Sequence, residues 1–186
     1  MKIAKLSSVT LAAVLAFGAF TTSCNKVKDA IKVNVPLQQA EYTFDLTPVE
    51  AGTHTLAEYS IRFNVDSAIK ANASQFDINN IKSVKISQVK IAASNTDGEN
   101  HFGLLSACKA QMKSDTKSEF VTIGELNNNP ETAASSLDLP VKSDLELKDY
   151  FKGTQFSYVL SATVRKATTK KLTCKATVKF DVTVGL

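Results

Sequence analysis

Tryptophan is absent from this 186-residue chain, and histidine occurs only at positions 54 and 101. Neither histidine has a metal-ligand partner at short spacing, so the sequence spells no structural or catalytic zinc site and implies no other cofactor. A serine nucleophile would have to draw its base from the same two residues, and no nucleophile motif surrounds either, so both are read as loop or surface positions. Cys24, Cys108 and Cys174 are the only cysteines, and no CxxC spacing occurs among them. Lacking tryptophan, the chain has few of the flat aromatic platforms that support glycan binding. Asp144 and Glu146 could form a catalytic carboxylate pair, but a solvated face explains them more simply. The sequence therefore names no catalytic residue, no metal ligand and no cofactor, and a non-enzymatic role is expected.

Charge of one sign is also missing. Lysine and arginine number 22 against 18 acidic residues, and two of the lysines, Lys2 and Lys5, belong to an N-terminal segment of a different kind. Without them the balance is 20 to 18. The remaining lysines are spread singly along alternating stretches, as at Lys175 and Lys179, instead of clustering with aromatics. Nucleic acid is excluded as a partner on that ground.

One long hydrophobic run is present, from Val9 to Phe20, preceded by Lys2 and Lys5 and followed by Thr21-Thr22-Ser23-Cys24. A basic start, an apolar stretch and small residues before a cut site make a secretory signal over residues 1–23. The run turns polar at Thr21, short of the roughly 20 apolar residues that span a bilayer. The ending at Cys24 resembles the lipobox of bacterial lipoproteins, in which the cysteine is acylated and becomes the first residue of the mature chain; Thr21 stands where that family prefers an aliphatic residue. The resemblance implies lipidation at Cys24 and anchorage to a membrane. Residues 24–29 then form a short polar tether. Its one acidic residue among two lysines departs from the acidic tether of surface-exported lipoproteins, so the periplasmic face and the cell surface are both expected sites.

Residues 30–186 read as a single domain. Period-two alternation opens at Ile31, Val33 and Val35 and resumes at Tyr42, Phe44 and Leu46, with Pro36 and Pro48 as punctuation. Tyr59, Ile61, Phe63 and Val65 mark the next strand. Between Asp66 and Lys82 the alternation breaks, which predicts one or two helical turns capped by Asp66 and Asp77. The apolar phase slips by one between Ile86 and Val89, as a bulge near Ser87 and Gln88 would require. Asn95–Asn100 contains a fragment of calcium-loop spelling, but Asp97-Gly98 between alternating segments predicts a hairpin turn into a strand carrying Phe102, Leu104, Cys108, Ala110 and Met112. Phe120–Ile123 and Leu137–Val141 are short strands, the second an edge because of Pro140. Leu145–Phe151 predicts a short helix ended by Gly153. Two long alternating segments, Phe156–Val164 and Leu172–Val184, are expected to pair as a hairpin joined by an exposed basic connection, Arg165–Lys171.

Eight or nine half-buried strands with almost no helix define an all-β chain: an antiparallel two-sheet β-sandwich, Ig-like or jelly-roll-like, with one or two short helices. A barrel is the other architecture that this pattern fits. Cys108 and Cys174 both lie in phase with core positions; in an oxidising compartment they form a candidate disulfide, while burial as separate thiols is the competing account. The lipobox, the Val33-Asn34-Val35-Pro36-Leu37 strand, the run Asn79–Ile86 and the long final strand resemble small β-sandwich lipoproteins of the Bacteroidota type. That resemblance implies an outer-membrane lipoprotein, partnered by the membrane through Cys24 and by a protein or glycan of the envelope. A secreted hydrolase or a glycan-binding protein is the alternative.

Overall fold

The computed structural model describes residues 32–186, apart from the side chains at 38–40. Residues 1–23, read as a signal, Cys24, and residues 24–29, read as a tether, lie outside the described residues. Eight strands appear: β1 Lys32–Leu46, β2 Gly52–Arg62, β3 Ile81–Ala93, β4 Leu105–Ser114, β5 Val121–Leu126, β6 Ser136–Leu139, β7 Gln155–Val164 and β8 Leu172–Gly185. One sheet, A, has the order β1-β8-β3-β6, and the other, B, the order β2-β7-β4-β5. All recorded pairings are antiparallel, and they nest: first strand with last, second with seventh, third with sixth, fourth with fifth.

Each strand owes its place to the alternation. In β8 the even positions from Leu172 to Val184 are buried and the odd ones between them are not. Pro36 has no N–H to donate and is accommodated because β1 has a neighbour on one side only. The expected bulge in β3 is present, as a register shift between Ile86 and Gln88 against β8. Phe44, Phe156, Leu172, Val178 and Phe180 are buried in one core. Phe63 is only half-buried, because β2 ends at Arg62 and Phe63 turns away to donate its N–H to the Thr154 carbonyl at 2.9 Å. Where Pro36 suggested two strands there is one, β1, with its irregularity between Leu37 and Ala40.

Two expected hairpins are not hairpins. β7 pairs with β2 and β4 in sheet B, while β8 pairs with β1 and β3 in sheet A, so Val164 is not opposite Leu172 nor Ala162 opposite Cys174. The Asp97-Gly98 segment likewise joins β3 of sheet A to β4 of sheet B. An inward-facing alternation looks the same whether two strands are neighbours in a sheet or face each other across the core. The residues 165–171 are enough to cross the roughly 10 Å between packed sheets.

The helical pieces are small. α1, Val65–Asn72, buries Val65 and Ile69; its cap is Asn64, whose side chain accepts from the Ser67 N–H at 2.9 Å. Asp66 lies inside the first turn instead, paired with Lys70 at 2.6 Å. Asp77 caps a 3-10 turn at Ile78–Asn80 as expected. Of the helix expected at Leu145–Phe151 only the 3-10 turn Tyr150–Lys152 forms; the preceding segment is held to β3 by the Leu147 N–H on the Val84 carbonyl at 2.9 Å. Phe151 closes the core below it, 4.8 Å from Phe180.

The register sorts the connections into two ends. The start of β1, the end of β8, α1, the β4–β5 turn and the β6–β7 connection lie at one end, the β1 end. The connections 47–51, 94–104, 127–135 and 165–171 lie together at the other, the loop end.

Candidate functional site

Cys24 falls outside the described residues. Cys108 and Cys174 are both buried and free, one in sheet B and one in sheet A, so the candidate bridge is not formed. A disulfide needs Cα atoms within about 7 Å, and packed sheets stand about 10 Å apart. Burial pushes the Cys108 thiol up to about 12 and the Cys174 thiol up to about 11. Such thiols are poor nucleophiles.

The loop end is drawn together by side chains that bond to backbone. The Arg165 guanidinium donates to the carbonyls of Gly103 at 2.8 Å, Leu105 at 3.1 Å and Asn129. The buried Asn129 amide donates to Phe102 at 2.9 Å and Leu105 at 2.8 Å. Asn128 before it adopts φ 57°, a conformation that asparagine tolerates better than most residues. Asn100 accepts from the N–H groups of Thr169 and Lys170, and Asp97 pairs with Lys170 at 3.0 Å. Lys170 first, then the Asn100 amide and the Glu99 N–H, hold the Asp97 carboxyl well below the usual carboxylate range. Its oxygens serve the turn, and among the described residues no group of three or more His, Cys, Asp or Glu side chains could hold a metal ion.

His101 differs from its expected surface position: it is buried, and Nδ1 accepts from the Gly103 N–H at 3.0 Å to cap the turn Phe102–Leu104. His54 lies in β2, its Nε2 2.9 Å from the Glu50 carbonyl. The connection 165–171 is only partly exposed, because Thr168 is buried against Val49, accepting from its N–H at 3.0 Å. Glu146 is a clamp: it accepts from Val84 N–H at 2.8 Å and from Ser83 Oγ at 2.7 Å. Burial alone would raise its carboxyl, but these bonds, with the Lys148 N–H, bring it below its ordinary value. Asp144 contributes its backbone carbonyl to Lys85 at 2.8 Å.

The two outer faces of the sandwich differ. On sheet A, charges neutralise each other: Lys175 with Glu41 at 2.8 Å, Lys171 with Asp45 at 3.0 Å, Lys85 with Glu146 at 3.7 Å, Lys90 with Asp138 at 4.0 Å. Sheet B carries hydroxyls, with Thr53 bonded to Thr163 at 3.0 Å and Ser60 to Ser157 at 2.7 Å. Among the described residues it carries no ion pair. Near the loop end, where β4 shifts register between Leu105 and Ala107, this face has a hollow of about 200 Å³ lined by Thr53, Lys109, Glu125, Asn127, Ser161 and Thr163 over Ala107, Cys108 and Ala162. Lys109 and Glu125 stand opposite each other in register without closing to ion-pair distance. The hollow offers donors and acceptors over a small-residue floor. No histidine is among its lining residues.

The edge between β1 and β2 is closed by aromatics. Tyr42 stacks on Tyr59 at 4.0 Å, and Tyr59 on Tyr158 at 5.0 Å. Burial, then the neighbouring Tyr42, raises the Tyr59 hydroxyl, and burial, then Tyr59, raises that of Tyr158. Tyr42, Phe44, Asp45, Leu56 and Glu58 border an open cleft outside the stack. The pair Tyr150 and Phe151 is no platform, since Phe151 is buried and Tyr150 donates to the Glu119 carbonyl.

Two four-stranded sheets in this order, with first-to-last nested pairing, define a jelly-roll β-sandwich. No protein-family model and no curated protein matches the chain. Among solved structures it is similar to one of infectious bursal disease virus Gt strain, at 14% identity and a TM-score of 0.34, covering 83% of this chain and 33% of that one. It thus spans about a third of that chain. It is also similar to structures of Desmodium yellow mottle tymovirus, at 11% identity and TM-score 0.23 over 100% and 95% of the two chains, and of turnip yellow mosaic virus, at 13% and 0.27 over 97% and 91%. The jelly-roll assignment rests on strand order and register.

Proposed function

We propose that the chain is a lipid-anchored lipoprotein of the outer membrane, of the Bacteroidota type, acting as a non-catalytic binding or structural module of the cell envelope. The observation that carries this reading is the spelling Thr21-Thr22-Ser23-Cys24 at the end of a secretory signal, only seven residues before β1 begins at Lys32. The anchor would lie next to one end of a sandwich whose four gathered loops are at the other, which suits a module displayed from a membrane. The nearly balanced charge of the chain after its signal supports a partner other than nucleic acid. A protein or glycan of the envelope remains the partner class. The glycan alternative draws its support from the hollow on sheet B, whose hydroxyl, amide, ammonium and carboxylate groups complement a polyhydroxylated ligand.

The test is Cys24→Ala in the native cell. The variant is expected to lose incorporation of a clickable fatty acid and to move from the membrane to the soluble periplasmic or culture fraction. A wild-type protein that is unacylated and starts downstream of Cys24 would refute the anchor.

A further inference from the structure

Jelly rolls bury their large apolar side chains between the sheets, and this one leaves two exposed among the described residues: Phe120 at 39% and Leu186 at 49%. Both are at the β1 end. Phe120 directly precedes β5, whose first residue, Val121, pairs with Met112 near the close of β4. Leu186 directly follows Gly185, which pairs with Lys32. The loop end has no counterpart among the described residues. Its loops present Glu50, Asp97, Glu99, Glu131, Lys166 and Lys170, and its bonds run inward to backbone.

Chain length ties this asymmetry to a partner. From Cys24 to Lys32 there are eight Cα steps, which extend to roughly 30 Å at most. β1 itself, at about 3.3 Å per residue, runs for roughly 45 to 50 Å. An anchor at Cys24 therefore reaches the β1 end of the standing sandwich and cannot pass along its length.

We propose that the β1 end is a membrane-facing surface, with Phe120 and Leu186 seated at the headgroup–acyl boundary of the bilayer that holds the Cys24 anchor. This rests on the lipid-anchor reading. Lys113 supports it locally: its Nζ lies over the Phe120 ring, 4.6 Å from the centroid, which places an ammonium beside the ring where a headgroup phosphate would meet it. Several acids at this end are engaged by protein groups, Asp66 with Lys70, Asp149 with Lys152, and Asp115 with Thr154. Glu119 and Asp144 offset the neighbouring Lys117 and Lys142, so the contact is apolar in origin and should persist at high salt.

The absence of tryptophan makes the test direct. Phe120→Trp and, as the loop-end control, Lys166→Trp each give a single reporter in an exposed position. The chain from Cys24 onward contains the entire described core and is coupled through Cys24 to a maleimide lipid in phosphatidylcholine vesicles; the buried Cys108 and Cys174 do not compete. Replacing the lipid with chain-brominated phosphatidylcholine is expected to quench the reporter at 120 by roughly half and to leave that at 166 within about a tenth, as interfacial residues sit some 5 to 10 Å deep. Equal emission with both lipids at 120, or stronger quenching at 166, overturns the proposal. So does a blue shift at 120 that grows with protein density without bromine quenching, since it means that a second copy covers Phe120. Chemical coupling separates this result from the anchor itself: absent acylation in cells would refute the anchor while leaving the geometry of the β1 end measurable.

Discussion

Phe180→Ala probes the centre of the sandwich. Phe180 lies in β8, the strand that joins β1 to β3, with Leu37 and Ile86 beside it in register. Its ring meets Phe151 edge-on at 4.8 Å and 68°, and Phe151 in turn lies 5.1 Å from Phe156. Truncating a buried phenylalanine costs about 3 to 5 kcal/mol, transfer and cavity together. Backbone pairing on both sides keeps β8 from collapsing into the space, which favours the upper part of that range. The edge contact contributes about 0.5 to 1.5 kcal/mol of it, and a cycle with Phe151→Ala should return a coupling of that size. Urea unfolding followed by far-ultraviolet circular dichroism measures the loss, with an unchanged denaturant slope as the sign that folded and unfolded states are otherwise the same. Phe63→Ala, at a half-buried position, is the control and should cost less. A loss under about 1 kcal/mol for Phe180→Ala at constant slope would refute the core described here.

Asn129→Ala removes two donors from the carbonyls of Phe102 and Leu105, so a loss of about 2 to 3 kcal/mol is expected in the same denaturation assay, against under 0.5 if the loops hold without it. Cys108 and Cys174 should resist a thiol reagent in native buffer and both react in urea without reductant; rapid native labelling of either would contradict their burial. Because folding raises both thiols above their ordinary value near 9, their contribution is complete below that value and is lost as the pH rises toward about 11 to 12. Unfolding midpoints should therefore decline above pH 9, and Cys108→Ala should soften that decline. Asp97, Asp115 and Glu146 shift the other way: their ordinary values are near 3.8 and 4.5 and folding lowers them, so their contribution holds above those values and is lost as the pH falls below. Glu146→Gln should shallow the acid limb as the pH falls below the ordinary value of 4.5, and an unchanged limb would show that the clamp on β3 adds nothing.

Alternation carried the inward positions, and most strands follow from it: the even residues of β8, the bulge in β3 and the edge character of β6 were all legible. Partner choice was not, because Phe156–Val164 and Leu172–Val184 have the same spelling whether they pair or face each other. The separation lies in a connection long enough to change sheets and in the rest of each sheet, which local pattern does not record. Caps failed by two residues at α1, where Asn64 and Asp66 both suit the role and geometry selected the first. Of the candidate site residues, Cys24 was read only from the signal-like run before it and lies outside the described residues, and the inward phase of Cys108 and Cys174 fitted either outcome. Arg165 read as part of a basic loop because nothing local announces three carbonyls from distant segments. The sheet B hollow was invisible for a related reason: Thr53, Ser161 and Thr163 are ordinary solvent-side residues until β4 shifts register behind them.

The nested pairing has a consequence for the order in which the molecule comes into being. β8 lies between β1 and β3, and among the described residues β1 has no other strand beside it. During amino-terminus-first synthesis, the opening strand emerges and waits while more than a hundred residues follow, because its partner runs from Leu172 to Gly185. Closing so large a loop is entropically costly and slow. A nascent chain is thereby kept from completing sheet A until β8 has been made. The same arrangement makes the final strand a completeness check: a copy truncated before Leu172 would lack the centre of a sheet and could not pass as folded.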